Sequence, residues 1–261
     1  IPGTIVKSAA GIISGPPRQL IENLDIVGQP AFDLVKIERL FGGIRNERVK
    51  YKKCVNVMFT RGCPFNCVFC SSKLMWARRL RWHSLEYILE QINFLIKTYD
   101  IDAIAFQDDE LICDKAKITA LCGAFIKTGI AEKLKWECQG RVDRVDKDIL
   151  LMIKKAGCKL IRFGIESGSP KILSFLKRNT ATVEQALNAV RLCKENNLLS
   201  FGSFILGSPE ENLDDILQTI NFLENSGLSC AAVFIATPYP GTDLYQICKE
   251  NGYLADNIGW N

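Results

Sequence analysis

From Val55 onward, short apolar runs rich in β-branched residues alternate with longer segments whose apolar residues recur at helical spacing. The runs predict strands over Val55–Thr60, Ile101–Gln107, Leu134–Gln139, Lys159–Ile165, Leu199–Leu206 and Ala231–Ala236. Helices between them mark their own starts. Ser84 precedes Leu85, Ile88, Leu89, Ile92, Leu95 and Ile96, and the pattern stops before Asp100. Asp114 precedes Ile118, Leu121, Phe125 and Ile126, with Gly129 placed for the C-terminal turn. Asp146 opens the helix of Ile149, Leu150 and Ile153 that Gly157 ends, and Ser169-Pro170 sets a cap before a first-turn proline. Thr182-Val183-Glu184-Gln185 is a capping box ahead of Leu187, Val190 and Leu192. Asn212 caps the helix through Ile216, Ile220 and Leu223 to Gly227, and Thr242 opens a last one closed near Gly252. Six β-then-α units imply an α/β fold with a parallel sheet, as a partly open (β/α) barrel or a doubly wound sheet. Pattern alone does not choose between them, but both put the ligand site at the carboxyl ends of the strands.

Residues 1–52 lack such periodicity and carry turn clusters at Gly15-Pro16-Pro17-Arg18, Gly28-Gln29-Pro30 and Gly42-Gly43. They read as a linker lying over the domain at 53–252, with 253–261 beginning a further extension. The basic stretch Arg45 to Lys53 reads as solvated surface. The chain starts Ile1-Pro2-Gly3 without an initiator methionine and is expected to be part of a longer one, with a domain upstream.

With 48% hydrophobic residues in 261, the chain can bury a substantial core, and a net charge of +4 gives no prior for nucleic acid or a membrane surface. No run reaches the roughly 18 apolar residues of a membrane span. Eleven cysteines, an odd number without a paired framework, argue for a reducing compartment, hence the cytoplasm. Eight of them (Cys54, Cys113, Cys122, Cys138, Cys158, Cys193, Cys230 and Cys248) are scattered singly through apolar stretches and read as small core hydrophobes.

The other three are different. Thr60-Arg61-Gly62-Cys63-Pro64-Phe65-Asn66-Cys67-Val68-Phe69-Cys70 places three thiols within eight residues directly after a predicted strand. Pro64 and Asn66 let the chain wrap back and aim several sulfurs at one point. Soft thiolates suit zinc, copper(I) or an iron-sulfur cluster. A closed structural zinc site wants four ligands, and here a second pair is missing.

This CxxxCxxC triplet resembles the signature of the radical S-adenosylmethionine (radical SAM) enzymes, whose cores are six-unit partial (β/α) barrels. The resemblance implies that Cys63, Cys67 and Cys70 hold a 4Fe-4S cluster with one iron left open for S-adenosylmethionine. It further implies reductive cleavage of the sulfonium to a 5′-deoxyadenosyl radical, with electrons from a donor such as flavodoxin or ferredoxin. The expected substrate is small or lipid-like.

The strand ends supply the remaining candidates. Gln107-Asp108-Asp109-Glu110 stands where many family members carry a Gly-Gly-Glu motif; the glycines are absent, so only a carboxylate role carries over, to Asp108 or Asp109. Exposed acids at a helix start are the plain alternative. Arg141 has the rigid fork to pair with a carboxylate, in the site or at the surface. The run Gly164-Ile165-Glu166-Ser167-Gly168 recurs in the family and puts Glu166 near ribose or the methionine amine; otherwise it is a glycine-rich helix start. Ile205, Gly207 and Glu210 resemble the GxIxGxxE motif, with Ser203 in place of its first glycine and the glutamate supporting the loop. Thr237, in Thr237-Pro238-Tyr239-Pro240-Gly241-Thr242, is expected beside adenine, and Phe69 of the cysteine loop beside the cofactor. His83, the only histidine, reads as a surface helix entrance.

Taken together, these motifs look most like radical SAM proteins that carry a cobalamin-binding domain before the barrel, which methylate unactivated carbon or phosphorus or remodel rings. Cobalamin would then be bound mainly by the upstream domain. The rivals are a methylthiotransferase-like enzyme and, from another class, a zinc-stabilised barrel acting as a binding module.

Overall fold

A computed structural model describes residues 2–9, 11–42 and 50–255. Gly43 of the third turn cluster, most of the basic stretch (Arg45 to Val49) and residues 256–261 of the expected extension lie outside the described residues. The lead-in folds into a hairpin of β1 (Ile5–Ser8) and β2 (Gly11–Ser14), then three single 3-10 turns between Leu24 and Leu40. Its second half is anchored: Leu24 and Ile37 are buried, and Ile37 joins the main core.

The barrel begins at β3 (Cys54–Val57), shorter than the predicted strand because the chain turns away after it. Both the Phe59 amide, at 2.9 Å, and the Thr60 amide donate to the Asp108 carboxylate instead of a neighbouring strand. Thr60–Arg61 (β4) then pairs antiparallel with Arg81–Trp82 (β5), and the cysteine loop and a short helix α1 (Ser72–Trp76) lie between them. Next come α2 (Leu85–Tyr99), β6 (Ala103–Phe106), α3 (Lys115–Lys127), a single turn α4 (Ile130–Lys133) and β7 (Lys135–Gly140). Helix α5 (Lys147–Lys155) leads to β8 (Cys158–Glu166), α6 (Pro170–Lys177), α7 (Val183–Glu195) and β9 (Leu199–Leu206). Helix α8 (Leu213–Asn225), β10 (Cys230–Ile235) and α9 (Asp243–Glu250) complete the described chain.

Six parallel strands in the order β10-β9-β8-β7-β6-β3 make one sheet curled into a half-barrel, so the expected partial (β/α) barrel is the fold and the doubly wound sheet is not. The two end strands do not pair with each other. Helices cover the convex face, where Phe106, Trp136, Phe163 and Phe204 are fully buried. The Trp136 indole still finds a partner, donating to the Ala156 carbonyl at 2.8 Å.

The helix starts are those the sequence marks. Ser84, Asp114, Asp146, Ser169, Thr182, Asn212 and Thr242 each accept the amide three residues on, in the first turn, and Thr182–Gln185 and Asn212–Asp215 close reciprocal capping boxes. Because the six strands run parallel, the loops that leave their carboxyl ends all open on one rim of the half-barrel.

Candidate active site

The cysteine loop is fixed at that rim by backbone. Gly62 has φ +98°, and a Cβ there would stand 2.2 Å from the Arg79 carbonyl oxygen, so only glycine passes. The Val68 amide donates to the Leu176 carbonyl, and the Leu244 amide donates to the Val68 carbonyl, each at 3.0 Å. This clasps the loop between the end of α6 and the start of α9, over an apolar contact of Val68 with Leu244 and Cys248. The Arg78 guanidinium adds a bond to the Pro64 carbonyl at 3.0 Å.

Cys63, Cys67 and Cys70 all line one cavity of about 350 Å³. Burial pushes the Cys63 thiol up to about 12 and the Cys70 thiol upward, so an empty site keeps these protons while a bound cation would expel them. Among the described residues no group of three or more His, Cys, Asp or Glu side chains is arranged to hold a metal ion. The Arg141 guanidinium lies 4.0 Å from the Cys67 sulfur, over the Phe65 ring at 3.6 Å, and is held by Asp143 at 2.7 Å and by Thr180 at 3.0 Å. It is buried, not a surface ion pair.

Behind β6 the acids divide. Asp108 is fully buried and spent on the two amides that turn the chain after β3; burial pushes its carboxyl up to about 6 despite those bonds. It does not line the cavity. Asp109 does, and accepts from the Ser72 hydroxyl at 2.8 Å. Glu110, the neighbour outside the predicted pair, lines it too: it is 3% exposed, its Oε1 is buried without a partner, and burial raises its carboxyl to about 8.

At the end of β8 a register shift between Gly164 and Glu166, with Glu166 at φ +70°, turns the Glu166 carboxylate toward the cavity and the Lys177 ammonium. Burial works against that ammonium, but Glu166 beside it holds it above its ordinary range. Glu166, Phe69 and Ser203 also line a second cavity of about 480 Å³, where Ile205, Ala236, Thr237 and Tyr239 form the wall. Gly207 lines neither cavity; it turns the loop after β9 at φ +83°. The carboxylate supporting that loop is Glu211, which accepts the Gly207 and Ser208 amides, whereas Glu210 contributes its carbonyl to Lys171.

Two further readings change. His83 is buried, with Nδ1 2.9 Å from the Asp25 carboxylate and its ring stacked on Tyr87, because the lead-in folds over it. Lys177, Gln139 and Arg162, which the sequence did not single out, line the cavity. Of the scattered cysteines, Cys54, Cys122, Cys138, Cys158, Cys193 and Cys248 are buried, and Cys113 and Cys230 partly so.

A parallel half-barrel with a three-thiol loop, paired acids and two adjoining cavities along one rim defines a β/α-barrel protein with its thiols at the strand ends. The Radical SAM superfamily profile matches residues 57–223, and the chain belongs to that superfamily. It is 35% identical to an uncharacterised methyltransferase of Pyrococcus horikoshii, over 97% of this chain and 53% of that protein. It is 27% identical to cytidylyl-2-hydroxyethylphosphonate methyltransferase of Streptomyces wedmorensis, over 92% of this chain and 46% of that one. The structure of the radical S-adenosylmethionine methyltransferase TsrM from Kitasatospora setae, solved with cobalamin and a 4Fe-4S cluster bound, superposes with a TM-score of 0.76 at 18% identity. That match covers 96% of this chain and 49% of TsrM. The chain thus spans about half the length of these relatives. Among the described residues no helix is long and apolar enough to cross a membrane.

Proposed function

We propose that Cys63, Cys67 and Cys70 ligate a 4Fe-4S cluster and that the two joined cavities receive S-adenosylmethionine. Bound there, the cluster supplies the electron that cleaves the sulfonium to a 5′-deoxyadenosyl radical. The observation that carries this reading is the shared wall: three thiols and the carboxylates of Asp109 and Glu110 face one cavity. Three thiolates without a fourth protein ligand suit an iron-sulfur cluster with one open iron better than a closed four-ligand zinc site. An ammonium placed between Asp109 and Glu110 would satisfy the buried Glu110 oxygen with a charge-assisted bond. Glu166 is then in reach of ribose, and Phe69, Ile205 and Thr237 offer the wall for adenine.

The full-length protein is read as a cobalamin-dependent methyltransferase acting in the cytoplasm on a small-molecule substrate, with an electron donor of the flavodoxin or ferredoxin kind. Support comes from relatives named as methyltransferases and from a chain that spans about half of them, leaving room for a corrinoid site elsewhere. The test is anaerobic reconstitution of the full-length protein with iron and sulfide, then dithionite and S-adenosylmethionine. Bound iron and sulfide with release of 5′-deoxyadenosine or a methylated product are expected. Stoichiometric zinc in a colourless protein would leave the binding-module reading instead, and activity indifferent to cobalamin would remove the methyltransferase subclass alone.

A further inference from the structure

Below the thiol wall, the concave face of the sheet carries a polar row that the chemistry above does not use. Gln139 of β7 pairs in register with Arg162 of β8, and Arg162 with Phe201 of β9, so their side chains share one face. All three line the cavity, next to Ser203 and Phe234.

Arg162 is incompletely bonded. Its Nη2 donates to Glu137, which is fully buried. Its Nε is buried with no acceptor, while Nη1 has no partner among the described residues and is not sealed off as Nε is. The side chain keeps 17% exposure, and Nη1 is the donor it leaves at the wall. The neighbouring Gln139 carboxamide is half-buried and takes no hydrogen bond among the described residues. A guanidinium donor beside a free carboxamide can both donate to and accept from one small polar group.

Charge selects which group. Each cation on the wall already has its own acid: Arg162 has Glu137, Arg141 has Asp143 and Lys177 has Glu166. No cation of the wall is left over, so an incoming carboxylate or phosphate would be desolvated with no free counter-charge to meet it. An uncharged acceptor avoids that cost. Phe201 and Phe234 add apolar ring surface on the same side.

The geometry points to a substrate subsite at Gln139 and Arg162 that takes an uncharged amide or carbonyl group carried on an apolar, ring-bearing body. It rests on the reading of this cavity as the place where cofactor and substrate meet.

The probes are benzamide and benzoate, titrated by ligand-observed NMR into the full-length protein with and without its cluster. Benzamide should bind about tenfold more tightly than benzoate, and Gln139→Leu should remove most of that preference. Gln139 is the first variant because it has no partner to lose; Arg162→Met together with Glu137→Leu should act the same way without stranding a buried charge. Equal or tighter binding of benzoate, or a benzamide affinity unchanged in Gln139→Leu, overturns the subsite. Iron content and 5′-deoxyadenosine release on the same preparations keep the two proposals apart. Iron and cleavage without an amide preference sink the subsite alone, and an amide preference in a protein that holds no iron sinks the cluster alone.

Discussion

The Lys177 ammonium lies 2.8 Å from the Glu166 carboxylate, and both side chains are buried at the cavity wall. A Cβ on Gly164 would stand 2.5 Å from Glu166 Oε1 and 3.2 Å from Lys177 Nζ, so the glycine keeps the place where they meet. Removing one partner strands the other charge. Lys177→Met is expected to destabilise the fold by about 3–5 kcal/mol, and adding Glu166→Gln to return most of it. Urea denaturation of the two variants checks this; a double variant no more stable than the single would show that the pair contributes nothing through charge.

Cys63, Cys67 and Cys70 are each expected to be required for iron, whereas Cys54 is not. Cys54 is buried with Tyr51, Ala103 and Ala105 at the start of β3, at the opposite end of the strand from the loop. Iron content after anaerobic reconstitution of each alanine variant decides it. Full iron in Cys67→Ala, or its loss in Cys54→Ala, would defeat the ligand set.

Gly62→Ala should fold but hold the loop badly. The added methyl meets a backbone oxygen at 2.2 Å and a φ of +98°, neither of which a side-chain rotation relieves. Iron retention should fall several-fold while the far-ultraviolet circular dichroism stays native. Normal iron would mean the loop shifts as a body without consequence.

Asp108 offers a pH test. Its carboxyl sits at about 6 in the fold against an ordinary value of 3.8, so charging it costs stability. That stability is fully present below about 4 and is lost as pH rises through about 6. Relative to Asp108→Asn, which can still accept the two amides, the wild type should gain on the order of 2 kcal/mol on going from pH 7 to pH 4. Thermal melts of both proteins at the two pH values read the difference, and parallel curves would contradict it.

What the sequence made legible was what local rules decide. A cap needs only a side chain and an amide three residues on, so Ser84, Thr182 and Asn212 could be read directly. Asp108 and Asp109 could not be told apart, because the amides of Phe59 and Thr60 that claim Asp108 arrive from another unit. Arg162 was passed over since a charge inside a strand ordinarily reads as an exposed position. Yet Arg162, Gly164 and Glu166 alternate along β8, and such a polar face opposite Ile161, Phe163 and Ile165 is the mark of a strand lining a wet interior. The burial of His83 was invisible because its cover comes from a lead-in without periodicity.

The clasp on Val68 has a consequence for how the protein is made. One half comes from Leu176, and the other waits for Leu244. On the ribosome the three thiols therefore emerge, and remain until α9 has been made, on a loop that Leu244 does not yet hold. The loop is held from both sides only once α9 is in place. A ribosome stalled before Asp243 would therefore display the three cysteines on a loop clasped from one side alone.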